Sequence, residues 1–343
     1  MTLTPSLIHP WVAEALPSSQ QLSQASDQFS RSTSASGRVR FGVSIYPQPA
    51  EWREFFEIVQ RIEALGYDSY WAYDHPTARA DCWTALAALA TQTSTIRLGT
   101  MIDCIYYRPA YLLARQAADV DRLSGGRLVL GVGIGDNPAE FADMGLRYPP
   151  VIERQHMLEE TITILRGLWS GEPFEFAGQY VVARNKLGFL PPVQQPHIPI
   201  LLAGGGEKVT LRQVAKYADM SNFGSHATTG GAYETADVAR KYDVLRGYCE
   251  EIARPFDSIL RSQFTMPLIL VERADQLQAR LAEVPKATRE FCKTSLVAGT
   301  PEDAIRYYQA LADAGVQYFV ANILDQDWQT IELLAREVMP AFQ

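Results

Sequence analysis

The chain of 343 residues has little of what marks a metal centre, a disulfide framework or a membrane span. Its four cysteines, Cys82, Cys104, Cys249 and Cys292, lie far apart, form no Cys-x-x-Cys pair and fall in apolar or helical stretches, which reads as reduced, buried thiols. Its five histidines, His9, His75, His156, His197 and His226, show no ligand spacing, so no metal site is expected. No apolar run approaches the roughly 20 residues of a bilayer-crossing helix. The start of the chain has neither the basic segment nor the apolar stretch of about 7–15 residues that a secretory leader needs. The expectation is a soluble protein with a cytoplasmic location and no membrane partner. Lys and Arg are not clustered and the net charge is −8, which argues against a nucleic-acid partner but leaves room for one local anion site.

What is present is rhythm. The first 38 residues, rich in Ser, Gln and Ala, read as an appended N-terminal arm, poorly structured or interface-forming. From residue 39 to residue 343, short β-rich runs alternate with amphipathic helical stretches, the pattern of parallel βα units. Strands are expected over 39–45, 69–73, 96–102, 128–132, 198–202, 220–223, 259–271 and 318–323. Eight strands of this kind predict a closed α/β fold, a TIM-type (β/α)8 barrel, and such barrels routinely exceed about 250 residues as one unit. Gly66, Gly125 and Gly315 each follow a helical stretch and precede a strand, as left-handed helix caps do. Thr300-Pro301-Glu302-Asp303 opens a helix with an N-cap, a proline at the first position and acidic residues in the first turn. Residues 171–196 break the rhythm and read as an inserted hairpin or lid before strand five.

Strand five runs into Ala203-Gly204-Gly205-Gly206-Glu207, and a helix follows over 208–218. Glycines let the backbone approach an anion, and the free N–H groups and positive dipole end of a new helix stabilise a phosphate; Lys208 and Arg212 add charge nearby. A tight turn needs only one or two glycines. Strand four ends in Gly131-Val132-Gly133-Ile134-Gly135-Asp136-Asn137-Pro138. This is not a dinucleotide fingerprint, because the spacing is GxGxG and Pro138 reads as part of a loop. Either the strand end is stripped of side chains so that a flat ring can rest on it, or the glycines serve close packing. Strand two delivers Asp74 and His75 to the end of a barrel strand, where catalytic groups concentrate, and His75 can move a proton near neutral pH. The alternative there is a turn-capping Asp74 and a gap-filling His75. Trp71, Tyr73, Tyr106, Tyr107 and Phe223 are candidate walls for a substrate pocket.

Taken together, residues 70–76, 98–100, 108–117, 123–135 and 199–219 resemble the bacterial luciferase-like superfamily of flavin and deazaflavin enzymes, over about residues 40–342. The run 203–211, with Tyr217-Ala218-Asp219 and Lys241-Tyr242-Asp243-Val244-Leu245, is most similar to the branch of deazaflavin (coenzyme F420)-dependent oxidoreductases. The resemblance implies a luciferase-like barrel with an insertion before strand five, and a cofactor phosphate on the turn 203–207. It implies that Asp74 and His75 are catalytic. It implies a cofactor held by Thr100, Met101, Ile102, Gly135, Asp136, Asn137, Ala203, Gly204, Gly205, Gly206 and Glu207, with Met101 and Ile102 joined by a non-proline cis peptide. Ile134 and Pro138 depart from the polar pattern of that family. A deazaflavin passes hydrides and does not readily activate oxygen, so the implied activity is hydride transfer to or from a small organic substrate. The alternatives are an FMN-dependent monooxygenase and a non-catalytic flavin-binding barrel. The family also implies a homodimer.

Overall fold

The computed structural model describes residues 39–46, 48–76, 80–186 and 190–343, so the expected arm over 1–38 lies outside the described residues. Eight parallel strands form the ring: β1 (Arg40–Tyr46), β2 (Ser69–Ala72), β3 (Arg97–Thr100), β4 (Leu128–Gly133), β5 (Ile200–Ala203), β6 (Met220–Gly224), β7 (Leu260–Thr265) and β8 (Tyr318–Leu324). β8 returns to β1 with pairs running from Arg40↔Tyr318 to Tyr46↔Leu324, which closes the barrel. Closure leaves the ring no unpaired edge and directs the C-terminal ends of all eight strands to one face. No described helix is long and apolar enough to cross a membrane.

Helix ends follow the chemistry of the residues that flank them. The helix Trp52–Ala64 buries Phe55, Ile58, Val59 and Ile62, one stripe at helical spacing, and is followed by Gly66 at φ 85°. The helix Ala110–Ser124 ends on Gly125 at φ 68°, a left-handed conformation that costs glycine least. Thr300 caps the helix Pro301–Asp313, and the Asp303 carboxylate accepts the Thr300 N–H at 2.9 Å, a reciprocal capping pair. All four cysteines are free and buried.

The inside of the barrel is filled by side chains from its own strands. Trp71 is buried there and donates from Nε1 to Ser69 Oγ at 2.6 Å. Its ring leaves no room on neighbouring strands: a Cβ on Gly99 would lie 2.3 Å from Trp71 Cε3, and one on Gly42 would lie 2.7 Å from Trp71 Nε1. Tyr73, Met101 and Phe264 belong to the same interior cluster, with Ile102, Ala203 and Met266 packed against it.

Two expectations are corrected. The stretch 259–271 is not one strand: β7 stops at Thr265, the Met266–Pro267 peptide is cis, and Leu268–Leu270 pairs instead with Val297–Gly299 outside the barrel. Proline has no N–H for the ladder, so the pairing ends where it enters. The glycine series after β4 leads not into a loop but into a short helix, Pro138–Asp143, with Asn137 as its N-cap. The inserted hairpin is found as Phe174–Ala177 against Val182–Asn185. It docks on the outer helix Val151–Trp169, where the Glu160 carboxylate accepts the backbone N–H groups of Gln179, Tyr180 and Val181 at 2.7, 2.9 and 2.9 Å.

Candidate active site

At the end of β2 the two neighbours Asp74 and His75 take different partners. Asp74 is buried and forms a two-point ion pair with Arg108, at 2.7 Å to Nη1 and 2.8 Å to Nη2. It also accepts the backbone N–H of Cys104 at 3.2 Å. Arg108 donates to a second carboxylate, Asp103, at 2.5 Å, and Trp83 Nε1 donates to the same oxygen at 2.7 Å. Two carboxylates and one guanidinium thus share a largely buried space. Burial, reinforced by the charge of Asp74 and only partly offset by Arg108, lifts the Asp103 carboxyl to about 8. Asp74 therefore braces the segment after β3, and its carboxylate faces Arg108 rather than its neighbour His75.

The carboxylate that meets His75 comes from 65 residues away: Nδ1 of His75 lies 2.8 Å from Glu140 Oε1. The other oxygen, Oε2, accepts the Tyr107 hydroxyl at 2.7 Å. Burial first, then this bond to a carboxylate, pushes the Tyr107 phenol well up, so the hydroxyl stays a donor. Glu140 sits in the first turn of the helix Pro138–Asp143, three residues after the Asn137 cap, which accepts the Ala139 N–H at 3.1 Å. Phe141 pins that helix by packing against Tyr106, Tyr107 and Tyr148, with ring centroids 5.5, 5.6 and 4.9 Å away. The His75 side chain keeps 42% exposure at the barrel's C-terminal face, and its Nε2 bonds to no described residue. Beside it, the buried Tyr73 hydroxyl bonds Ser44 Oγ at 2.8 Å and Asn322 Nδ2.

The remaining expected cofactor residues divide by what their atoms already do. Thr100 is fully buried and donates to the Gly131 carbonyl at 2.6 Å, so its hydroxyl belongs to the barrel wall. The Met101–Ile102 peptide is cis, and both side chains belong to the cluster at the barrel interior. The glycine series answers to packing: a Cβ on Gly131 would lie 2.1 Å from the Thr100 carbonyl oxygen, and one on Gly133 would lie 2.1 Å from Ile102 Cδ1. Gly135 has φ 72°, and a side chain there would meet Phe141 and Cys104. Asn137 is engaged as a cap, while Asp136 is exposed. Of the aromatic candidates, Tyr73 and Tyr107 stand next to His75 or its partner; Trp71 fills the barrel, and Phe223 is buried against Tyr242.

The turn after β5 has an internal need for each of its glycines. Gly204 has φ 116°, a Cβ on Gly205 would lie 2.7 Å from the Gly230 carbonyl, and one on Gly206 would lie 2.9 Å from Thr210 Oγ1. Their number alone therefore does not single out an anion. The donors make the stronger case. The amides of Gly205, Gly206 and Glu207 donate to no acceptor among the described residues, and the helix Thr210–Tyr217 begins just beyond them. The cations come from the helix Thr235–Glu251: Lys241 Nζ, buried, donates to the Gly205 carbonyl at 2.6 Å, and Arg240 pairs with Glu207. Burial, then the charge of Arg240, lowers the Lys241 ammonium's pKa. Arg212, expected to add charge, turns away to Glu251 at 3.1 Å. Free amides, with Lys241 and Arg240 close by and Glu207 balancing part of their charge, are a donor set that fits a phosphate group.

Sequence reasoning missed Glu140 and Lys241 as site residues. For Glu140 a signal existed: Asn-Pro-Ala-Glu is an N-cap, a first-position proline and an acid in the first turn, and reading it as a helix start would have placed Glu140. Lys241 lies in the run 241–245 that carries the family resemblance, but its place at the turn comes from the parallel pairing of β5 with β6, whose following helix holds it.

Comparison with known proteins gives these features a family. The family model described as luciferase-like monooxygenase matches residues 33–243, more than half of the chain. An F420-dependent glucose-6-phosphate dehydrogenase of Amycolatopsis mediterranei is 28% identical over 308 residues, covering 78% of this chain and 87% of the relative. A 5,10-methylenetetrahydromethanopterin reductase of Archaeoglobus fulgidus is 26% identical over 337 residues, covering 88% and 99%. Among solved structures, the coenzyme F420 dependent tetrahydromethanopterin reductase of Methanopyrus kandleri superposes with a TM-score of 0.74 at 21% identity, covering 89% of this chain and 100% of that one, a likeness of fold. A family match over most of the barrel, on a ring of eight parallel strands, makes this chain a member of the luciferase-like monooxygenase family and an oxidoreductase.

Proposed function

We propose that the chain is a coenzyme F420-dependent oxidoreductase that moves a hydride between the deazaflavin and a small organic substrate, with His75 handling the accompanying proton. The observation that carries the reading is an accessible imidazole, 42% exposed, on the same barrel face as the donor-rich turn after β5. The choice of deazaflavin over FMN is supported by relatives named F420-dependent or acting as a methylenetetrahydromethanopterin reductase, which align with 78% and 88% of the chain.

In this reading the amides of Gly205, Gly206 and Glu207 hold the cofactor phosphate, with Arg240 and Lys241 supplying positive charge behind them. Met101, Ile102 and Ala203, packed together at the barrel interior, would offer an apolar surface to the ring. A bound deazaflavin supplies a carbon centre that accepts or returns a hydride. His75 takes the hydroxyl proton of a substrate being oxidised, or returns one to a carbonyl being reduced. Tyr73 lies beside it, with ring centroids 6.2 Å apart, and Tyr107 holds its partner Glu140.

The test follows the absorbance of oxidised F420 with a panel of small alcohols, and of reduced F420 with the matching carbonyl compounds. His75→Ala is expected to lower turnover by roughly 10²–10⁴-fold while F420 affinity stays unchanged. Affinity lost along with turnover would instead make His75 a structural residue.

A further inference from the structure

An imidazole with one exposed nitrogen can serve as proton acceptor or proton donor, and which one depends on where its single neutral-state proton sits. In His75 that question is answered on the far side of the ring. Nδ1 faces Glu140 Oε1 at 2.8 Å, and an ionised carboxylate only accepts, so Nδ1 carries the hydrogen of this bond. Oε2 is held in turn by the Tyr107 hydroxyl at 2.7 Å, which fixes the plane of the carboxylate. Glu140 is itself 7% exposed, on a helix start capped by Asn137 and anchored by Phe141 against three tyrosine rings. Everything behind the imidazole is thus built to accept one hydrogen from Nδ1.

We propose that Glu140 is a positioning residue that holds neutral His75 in its Nδ1–H tautomer, with Tyr107 holding Glu140, so that Nε2 presents a lone pair to the barrel face. The inference deepens the reading of His75 as the proton-handling group and rests on it for its functional meaning. A base oriented by a third group on its other nitrogen is a general solution to aiming a proton acceptor. Here the consequence is directional: neutral His75 enters the site ready to accept a proton, which suits oxidation of a hydroxyl-bearing substrate. In reduction of a carbonyl, protonated His75 gives up its Nε2 proton and returns to the same tautomer.

The substitution Glu140→Ala removes the acceptor behind the ring. Nδ1 then has no carboxylate to bond to. The neutral-state proton moves to Nε2, the nitrogen that carries it in a free histidine side chain. Long-range ¹H–¹⁵N correlation spectra of the imidazole rings, at a pH where His75 is neutral, read the tautomer directly. The chain has five histidines, and the spectrum of His75→Ala assigns the signal. The expected results are Nδ1–H in the wild type, Nε2–H in Glu140→Ala and Nδ1–H retained in Tyr107→Phe, where the carboxylate remains. Nε2–H in the wild type overturns the proposal whether or not the variants fold, and so does Nδ1–H in folded Glu140→Ala. Turnover by the wild type with F420, together with an unchanged tautomer in Glu140→Ala, refutes the role of Glu140 alone. Failure of the wild type to bind F420, with the tautomers as expected, refutes the cofactor reading alone.

Discussion

Asp103 carries a consequence that belongs to one residue. Its carboxyl is lifted by burial from an ordinary value of 3.8 to about 8, so between those limits the folded chain holds a proton that the unfolded chain has lost. Stability then falls as pH rises, because the unfolded state binds fewer protons across the window. The contribution of this group is fully present below about pH 4 and is lost as pH climbs through about 8. Asp103→Asn keeps the shape without the titration, and urea unfolding of wild type and variant from pH 4 to pH 8 should show a flatter dependence for the variant. Parallel slopes would contradict the assignment. Sequence reading reached Asp74 and His75 by their place at a strand end but not their partners. Arg108 and Glu140 lie 34 and 65 positions away, and adjacency along the chain says nothing about which carboxylate an imidazole will meet.

At the scale of elements, turn and cap chemistry was legible because it is local. Gly66, Gly125 and Gly315 all adopt the positive φ expected of helix caps, and Thr300 opens its helix as its neighbours require. The glycines after β4 were ambiguous, since an absent side chain looks the same whether protein or ligand fills the space. Only packing resolves it: Gly131 is held against the Thr100 carbonyl, so that β3 and β4 pass close just before the cis peptide. Gly131→Ala would place a methyl group 2.1 Å from a backbone oxygen that has no soft direction in which to move. A loss of roughly 1–3 kcal/mol or more is expected, as for other overpacked cores, read as a lower urea midpoint. A midpoint equal to that of the wild type would show that β3 and β4 can separate there at little cost.

For the whole molecule, the count of eight strands was readable because parallel βα units repeat, and repetition survives errors of two or three residues at each boundary. The segment between β7 and β8 was not. Residues 259–271 read as one barrel strand, whereas Leu268–Leu270 pairs with Val297–Gly299 outside the ring and the helices Leu277–Glu283 and Lys286–Phe291 lie between these two strands in the chain. That segment is tied back to the end of β6 by His226, whose Nε2 meets the Phe291 carbonyl at 3.0 Å and whose ring lies 4.5 Å from the Phe291 ring. The parallel pairing of β5 with β6 is what brings the helix of Arg240 and Lys241 to the turn after β5. The proposed cofactor site is therefore a property of the assembled barrel, and the cofactor is its most direct test. Equilibrium titration of the purified chain with F420 and, separately, with FMN, followed by cofactor fluorescence, measures the choice. Saturable binding of F420 at concentrations where FMN does not bind is the expected result, and preferential binding of FMN would contradict it.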